Sequence, residues 1–305
     1  MNKILITGAA GFVGSALARF LIKRNYDVTL IDNYYIPSNI TDVENIPIQR
    51  LDVRNPLLDV SSYNYVFHLA AVSGIRRCEE NKAEAFDINV KGTFNILKTL
   101  KGRIIFASTS AIYGQAEEPV IQEESTVKPR NYYGATKLYG EKLISLTDNY
   151  CILRFSNIYG KALLCKRTVT DLFIENVIKG LPITIHGDGK QKRDFIHIND
   201  TIRSYWYAMN SELNDTFNIG GNEELTVNDI AKIVCDNYRM VFQYTPEIKM
   251  VPVEGGTMWK DFVYSIDKAK ERLKYTPSHE MVDEIRRRLN AHSRTVQRRK
   301  PGTSV

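Results

Sequence analysis

The stretch Lys3-Ile4-Leu5-Ile6-Thr7-Gly8-Ala9-Ala10-Gly11-Phe12-Val13-Gly14 constrains this chain more than any other. Its Ile- and Leu-rich start reads as a buried parallel strand, and Gly8, Gly11 and Gly14 then open a helix running to about Asn25. One glycine permits a tight turn, one lets the backbone approach a pyrophosphate, and one lets helix and strand pack closely. The free amides of the first helical turn, Phe12 and Val13 among them, then face the anion. A second strand, Asp27 to Ile31, ends at Asp32 and Asn33, where the Asp32 carboxylate would accept hydrogen bonds from an adenosine ribose. Such glycine spacing also marks ordinary strand-to-helix turns. The strand before it, the amphipathic helix after it and Asp32 together favour a dinucleotide site, and because Asp32 would repel a 2′-phosphate, NAD is favoured over NADP.

Charge bears on a competing reading. The 305 residues carry a formal charge of +6, a hint of nucleic-acid binding. Arg294, Arg298, Arg299 and Lys300 supply four of those charges, in a stretch, 291–305, that has no acid. The body is close to neutral, so nucleic acid is a disfavoured partner. The stretch is polar and reads as a disordered, solvated tail. No run of eighteen apolar residues and no charged and apolar leader is seen, so neither a membrane span nor a signal peptide is expected, and the reading is cytoplasmic. Cys78, Cys151, Cys165 and Cys235 lie far apart, which fits reduced thiols better than disulfides or a metal site.

Residues 1–160 alternate strand and helix, the pattern of an α/β doubly wound parallel sheet. Strands are expected at Ile46 to Leu51, Tyr65 to Ala70, Arg103 to Ser108 and Tyr150 to Phe155, with helices at Lys82 to Leu100 and Tyr132 to Thr147. Phe86, Val90, Phe94 and Leu97 on one helix, and Leu138, Leu143 and Leu146 on the other, form apolar faces expected to build a homodimer bundle. Beyond Gly160 a smaller mixed α/β unit, 161–290, is expected to close a cleft over the sheet, with part of the later chain returning to the first unit. A helix should open at Thr226, where Thr226 and Asp229 have capping-box spacing.

Tyr133 and Lys137 stand four apart at the start of a helix, one turn apart on the same face. An ammonium beside a phenol stabilises the phenolate and so suits it to act as a base. Upstream, a strand ends in Ser108-Thr109-Ser110, and a hydroxyl at such a strand end can hold a substrate oxygen while the phenolate takes its proton. Ordinary turn capping and a solvated helix face would explain either feature alone.

Together with the glycine loop, Leu153-Arg154-Phe155-Ser156-Asn157-Ile158-Tyr159-Gly160 and Gly187-Asp188-Gly189-Lys190-Gln191-Lys192-Arg193-Asp194-Phe195, these motifs resemble, in order and spacing, the extended short-chain dehydrogenase/reductase family. Within it the chain is most similar to the NAD-dependent nucleotide-sugar epimerases and dehydratases. The resemblance implies Tyr133 as base, Lys137 bridging the nicotinamide ribose and lowering the Tyr133 pKa, and Thr109 orienting the sugar. It implies Asp52 and Val53 beside adenine, Leu69-Ala70-Ala71 along the cofactor's middle, and Asn157 and Arg193 on the substrate's diphosphate. Ser73 and Ser110 are further substrate candidates; Arg76 either faces the sugar or is an ordinary surface arginine.

Two departures from the family pattern narrow the expectation. Members that eliminate water carry Asp-Glu directly after the catalytic Thr, and decarboxylating members carry Glu in the second of those places. Here Ser110 and Ala111 stand there, so C4 epimerisation of a nucleotide-activated hexose, most simply UDP-linked, is preferred over dehydration and decarboxylation. Near residues 254–262, where a phosphate-gripping arginine is usual, only Lys260 is found. A sugar oxidoreductase or reductase, and a non-catalytic NAD-binding scaffold that uses its basic tail, are the alternatives.

Overall fold

The computed structural model describes residues 2–114, 118, 120–161, 168–221, 223–252, 261 and 263–299. The chain opens with β1 (Lys3–Thr7), α1 (Phe12–Ile22), β2 (Asp27–Asp32), the short β3 (Asp42–Val43), β4 (Ile46–Arg50) and β5 (Tyr65–His68). It continues through α2 (Ile75–Glu80), α3 (Lys82–Phe86), α4 (Gly92–Leu97), β6 (Arg103–Thr109), α5 (Tyr132–Ile144), β7 (Tyr150–Phe155) and β8 (Asn157–Tyr159). Then follow α6 (Val169–Ile178), β9 (Ile183–His186), β10 (Lys192–His197), α7 (Ile198–Met209), β11 (Asp215–Ile219), β12 (Glu223–Thr226), α8 (Val227–Phe242), β13 (Ile248–Val251), α9 (Asp267–Arg272) and α10 (Met281–Arg299).

The main sheet has the order β11-β7-β6-β5-β1-β2-β4-β3 and is parallel except for β3. Alternate residues of β1 explain why it lies at the centre. Ile4 and Ile6 pack with Leu17 and Leu21 of α1 and Ile202 and Tyr205 of α7, whereas Leu5 packs on the other face with Phe106, Ile96 and Ile144. Burial on both faces demands the continuous apolar run that the sequence shows. Strand order reverses between β1 and β5, and the carboxyl ends there frame the crevice in which ligands of such sheets sit.

A second core joins Tyr159, Phe173, Ile183, Phe195, Ile230, Val234, Met281 and Ile285, drawn from the sheets β12-β10-β8 and β13-β9 and the helices α6, α8 and α10. The chain does not keep to one unit. Both α7 and β11 pack with the main sheet, as do Tyr264, Ile266, Ala269 and Tyr275 at and around α9.

Two expectations require correction. The helix expected over Lys82 to Leu100 is broken by a π turn at Asp87–Lys91. The widened turn serves Asn89, whose amide is buried between strand and helix, accepting from Val72 N at 2.7 Å and donating to Thr136 at 3.0 Å. The stretch 291–305 was expected to be disordered, yet α10 runs to Arg299. His292 meets the Phe242 ring and the Thr295 hydroxyl donates to the Ala291 carbonyl. Residues 300–305 lie outside the described residues. No helix among the described residues is long and apolar enough to cross a membrane.

Candidate active site

The glycine loop has the shape its spacing demands. Gly8 has φ +72°, and a Cβ there would lie 2.8 Å from Ala70 N, because the chain after β5 passes directly over it. A Cβ on Gly14 would fall on the Gly8 carbonyl oxygen. Gly11 caps α1 with no side-chain bond, leaving the first-turn amides of Phe12 and Val13 to an external anion. Asp32 closes the loop's far side, accepting from Ala10 N at 3.0 Å and Tyr34 N at 2.7 Å. Burial raises its pKa against those two bonds.

Asn33, next to Asp32, and Asp52, expected beside adenine, meet at 2.8 Å. Arg54, which the sequence reading did not single out, grips the same carboxylate through Nε and Nη2 at 3.0 and 2.7 Å. Burial pushes the Asp52 carboxyl up, but Arg54 and Asn33 outweigh it and hold it at about 2. A depressed carboxyl contributes stability above its ordinary 3.8 and loses it as pH falls to about 2. An acid-unfolding titration should therefore lose part of its slope in that window when Asp52→Asn is introduced. The Val53 side chain is buried under Gly92 and its carbonyl accepts from Asn95, which leaves its backbone amide for a ligand.

The cleft floor holds a network absent from the sequence reading. His68 Nδ1 lies 2.8 Å from Thr7 Oγ1 and His68 Nε2 lies 2.9 Å from Thr93 Oγ1. Thr7 Oγ1 in turn accepts the amides of Leu69 and Ala70 at 3.2 and 3.1 Å, fixing the Leu69-Ala70-Ala71 turn. Burial, with the Lys137 charge assisting, pulls His68 down to about 3, so its ring is a neutral hydrogen-bonding spacer.

At the other end of the switch point, Asn131 caps α5 by accepting from Gly134 N at 2.8 Å, which starts the helix where Tyr133 reaches the end of β6. The Tyr133 hydroxyl lies close enough to the Thr109 side chain for that hydroxyl to favour its phenolate. Lys137, 2 % exposed, extends over the Phe106 ring with Nζ 3.9 Å from its centroid. Burial drives the pair toward neutrality. It pushes Tyr133 up to about 12 against the influence of the Thr109 side chain and pulls Lys137 down to about 7 against the Glu141 charge. The lowering of the Tyr133 pKa expected from Lys137 is not found in the protein alone, where burial raises it instead.

On the substrate side, β8 and β10 run parallel with Asn157 opposite Phe195, which brings Asn157 and Arg193 onto neighbouring strands at the rim. The Asn157 amide donates to the Asp194 carbonyl at 3.1 Å and Arg193 Nη1 to the Lys192 carbonyl at 2.7 Å. Ser73 and Ser110 are half-buried. Arg76 does not join the site: its side chain is 90 % exposed on α2 and pairs with Glu80 at 2.7 Å. Lys260 lies outside the described residues.

The sequence profile of the NAD dependent epimerase/dehydratase family matches residues 4–220. The chain belongs to that family. It is 31 % identical over 303 residues to a putative UDP-glucose 4-epimerase of Methanocaldococcus jannaschii, covering 94 % of this chain and 97 % of that one. It is 34 % identical over 257 residues to a UDP-N-acetyl-alpha-D-glucosaminuronate decarboxylase of Bacillus cytotoxicus, covering 76 % and 78 %. Among solved structures it resembles UDP-glucose 4-epimerase of Thermotoga maritima with UDP-glucose, at TM-score 0.85 and 27 % identity, covering 96 % and 99 %. NAD is the family's cofactor, and this chain's glycine cradle fits it: the space that Cβ atoms at Gly8 and Gly14 would fill is the backbone's own close approach, with uncapped amides above it.

Proposed function

We propose that this family member interconverts C4 epimers of a UDP-linked hexose. The observation that carries the proposal is the composition of the strand end. Thr109, whose side chain acts on the Tyr133 hydroxyl, is followed by Ser110 and Ala111, so the two places after it hold no carboxylate to drive chemistry further along the sugar. NAD, held by the Gly8–Gly14 loop, Asp32 and Lys137, would supply the hydride acceptor and donor. Tyr133 would take the C4 hydroxyl proton, with Thr109 holding that oxygen, as C4 gives up its hydride to the cofactor; once the keto sugar has turned about its diphosphate link, C4 would regain the hydride on its opposite face and the oxygen its proton from Tyr133. Asn157 and Arg193 hold the diphosphate, a role suited to a guanidinium and an amide. Of the residues expected to build a homodimer face, Phe86, Phe94 and Leu146 are exposed, as are Tyr132 and Tyr139 beside them, whereas Val90 is buried and Leu97 and Leu138 pack against the cores; the exposed ones support a homodimer through these helices.

Incubation with a panel of UDP-hexoses, read by mass and by NADH absorbance, tests the proposal. The expected product is the C4 epimer, of unchanged mass and with no net NADH. Stoichiometric NADH would make the protein a dehydrogenase, and a product lighter by water or carbon dioxide would overturn the epimerase reading in favour of elimination or decarboxylation.

A further inference from the structure

Behind Tyr133 and Lys137 lies buried charge that the proposed reaction does not consume. Glu141 stands one helical turn past Lys137 on α5 and is 4 % exposed. Its carboxylate accepts from the hydroxyl of Ser108, the residue before Thr109 on β6. It also accepts from Arg154 of β7, with Nε 3.0 Å from one oxygen and Nη2 2.8 Å from the other. Arg154 donates onward to the Tyr113 hydroxyl at 2.7 Å and the Glu123 carbonyl at 2.9 Å, and Tyr113 donates to Asn218 of β11 at 2.7 Å. One carboxylate thus ties the helix bearing Tyr133 and Lys137 to the strand ending in Thr109.

Stability alone does not account for such a pair, since apolar side chains of similar volume often serve as well or better. Its charge does. Lys137 lies over the Phe106 ring, with Cys78 of α2 and His68 of β5 near enough to interact with its charge. Burial keeps the Cys78 thiol protonated, with its pKa pushed up to about 11, and keeps His68 neutral. Among the described groups acting on Lys137, the Glu141 carboxylate is therefore the one that favours the ammonium at neutral pH, and Arg154 is the cation that faces Glu141 from β7.

We infer that Glu141 is a positioning residue for the base: it keeps Lys137 charged beside Tyr133 and fixes α5 against the strand end that carries Thr109. The inference rests on Tyr133 being the base. Glu141→Gln keeps the shape and an acceptor for Ser108 while removing the charge. The readout is an ultraviolet difference titration of tyrosinate in the NAD-loaded protein, with Tyr133→Phe as blank, beside the pH profile of kcat. With Lys137 less charged, Tyr133 should ionise at a pH higher by about one unit. The acid limb of kcat should rise with it, the basic limb set by Lys137 should fall, and KM should change little.

Because Glu141→Gln leaves Arg154 buried without its partner, Glu141→Gln/Arg154→Met serves where the single variant does not fold. It removes both charges and should recover thermal stability while keeping the shifted titration. Recovery of the wild-type titration along with stability would overturn the inference, since a purely structural pair is rescued by packing alone. The titration needs no sugar, so a wrong substrate class leaves it readable. A wild-type protein with no Tyr133 step against the blank would instead sink the base assignment, and the inference with it.

Discussion

Tyr133→Phe should lose roughly 10²- to 10⁴-fold in kcat, the range that a positioned acid–base group supplies. Phenylalanine keeps the ring that packs against the Leu5, Phe106 and Ile152 core, so the fold and the bound NAD should be retained and the loss confined to the hydroxyl. That hydroxyl is the one on which the Thr109 side chain acts. Steady-state kinetics at matched NAD content checks this. Full activity in a folded, NAD-loaded Tyr133→Phe protein would exclude Tyr133 as the base.

The second large effect belongs to the cofactor loop. Gly14→Ala puts a methyl on the Gly8 carbonyl, and both partners are backbone, so α1 or the β1 turn must move. Overpacking of this kind costs about 1–3 kcal/mol or more, and it also displaces the first-turn amides from the pyrophosphate. We expect a lower Tm and a Kd for NAD raised at least about tenfold, which amounts to roughly 1.4 kcal/mol. Gly11→Ala is the control, since its Cβ would stand 3.1 Å from the same oxygen and needs only a small adjustment. Calorimetric titration with NAD should rank the two; equal effects would mean that close helix–strand packing is not what Gly14 provides.

What the sequence disclosed was whatever local rules govern. The Gly8–Gly14 loop, the strands of the main sheet and the cap at Thr226 each follow from neighbours in sequence, and Thr226 and Asp229 form the reciprocal box that their spacing announced. An identical box at Thr168 and Asp171 went unread. The site's supports were not legible because their partners are far apart in the chain: Glu141 with Ser108 and Arg154, His68 with Thr7 and Thr93, Asn89 with Val72. Arg76, which could face the sugar or be an ordinary surface arginine, is the latter, since a local partner, Glu80, holds it on the surface. The helix through 291–299 was hidden by its arginines. Its apolar side, Met281, Ile285 and Leu289, lies earlier and faces the second core, while the later turns extend what those residues began.

The repeated crossings between the two cores bear on how the protein could be dissected. The chain leaves the main sheet at Phe155, returns with α7 and β11, leaves again at β12 and comes back at Tyr264. A fragment cut at residue 160 would strip β11 from β7 and leave Tyr150–Phe155 as a bare, apolar sheet edge, an invitation to aggregate. The complementary fragment would keep α7 and β11 with nothing to cover. The halves are therefore not separable modules to be shuffled between proteins, and a new sugar specificity has to be engineered by altering loops within the intact chain.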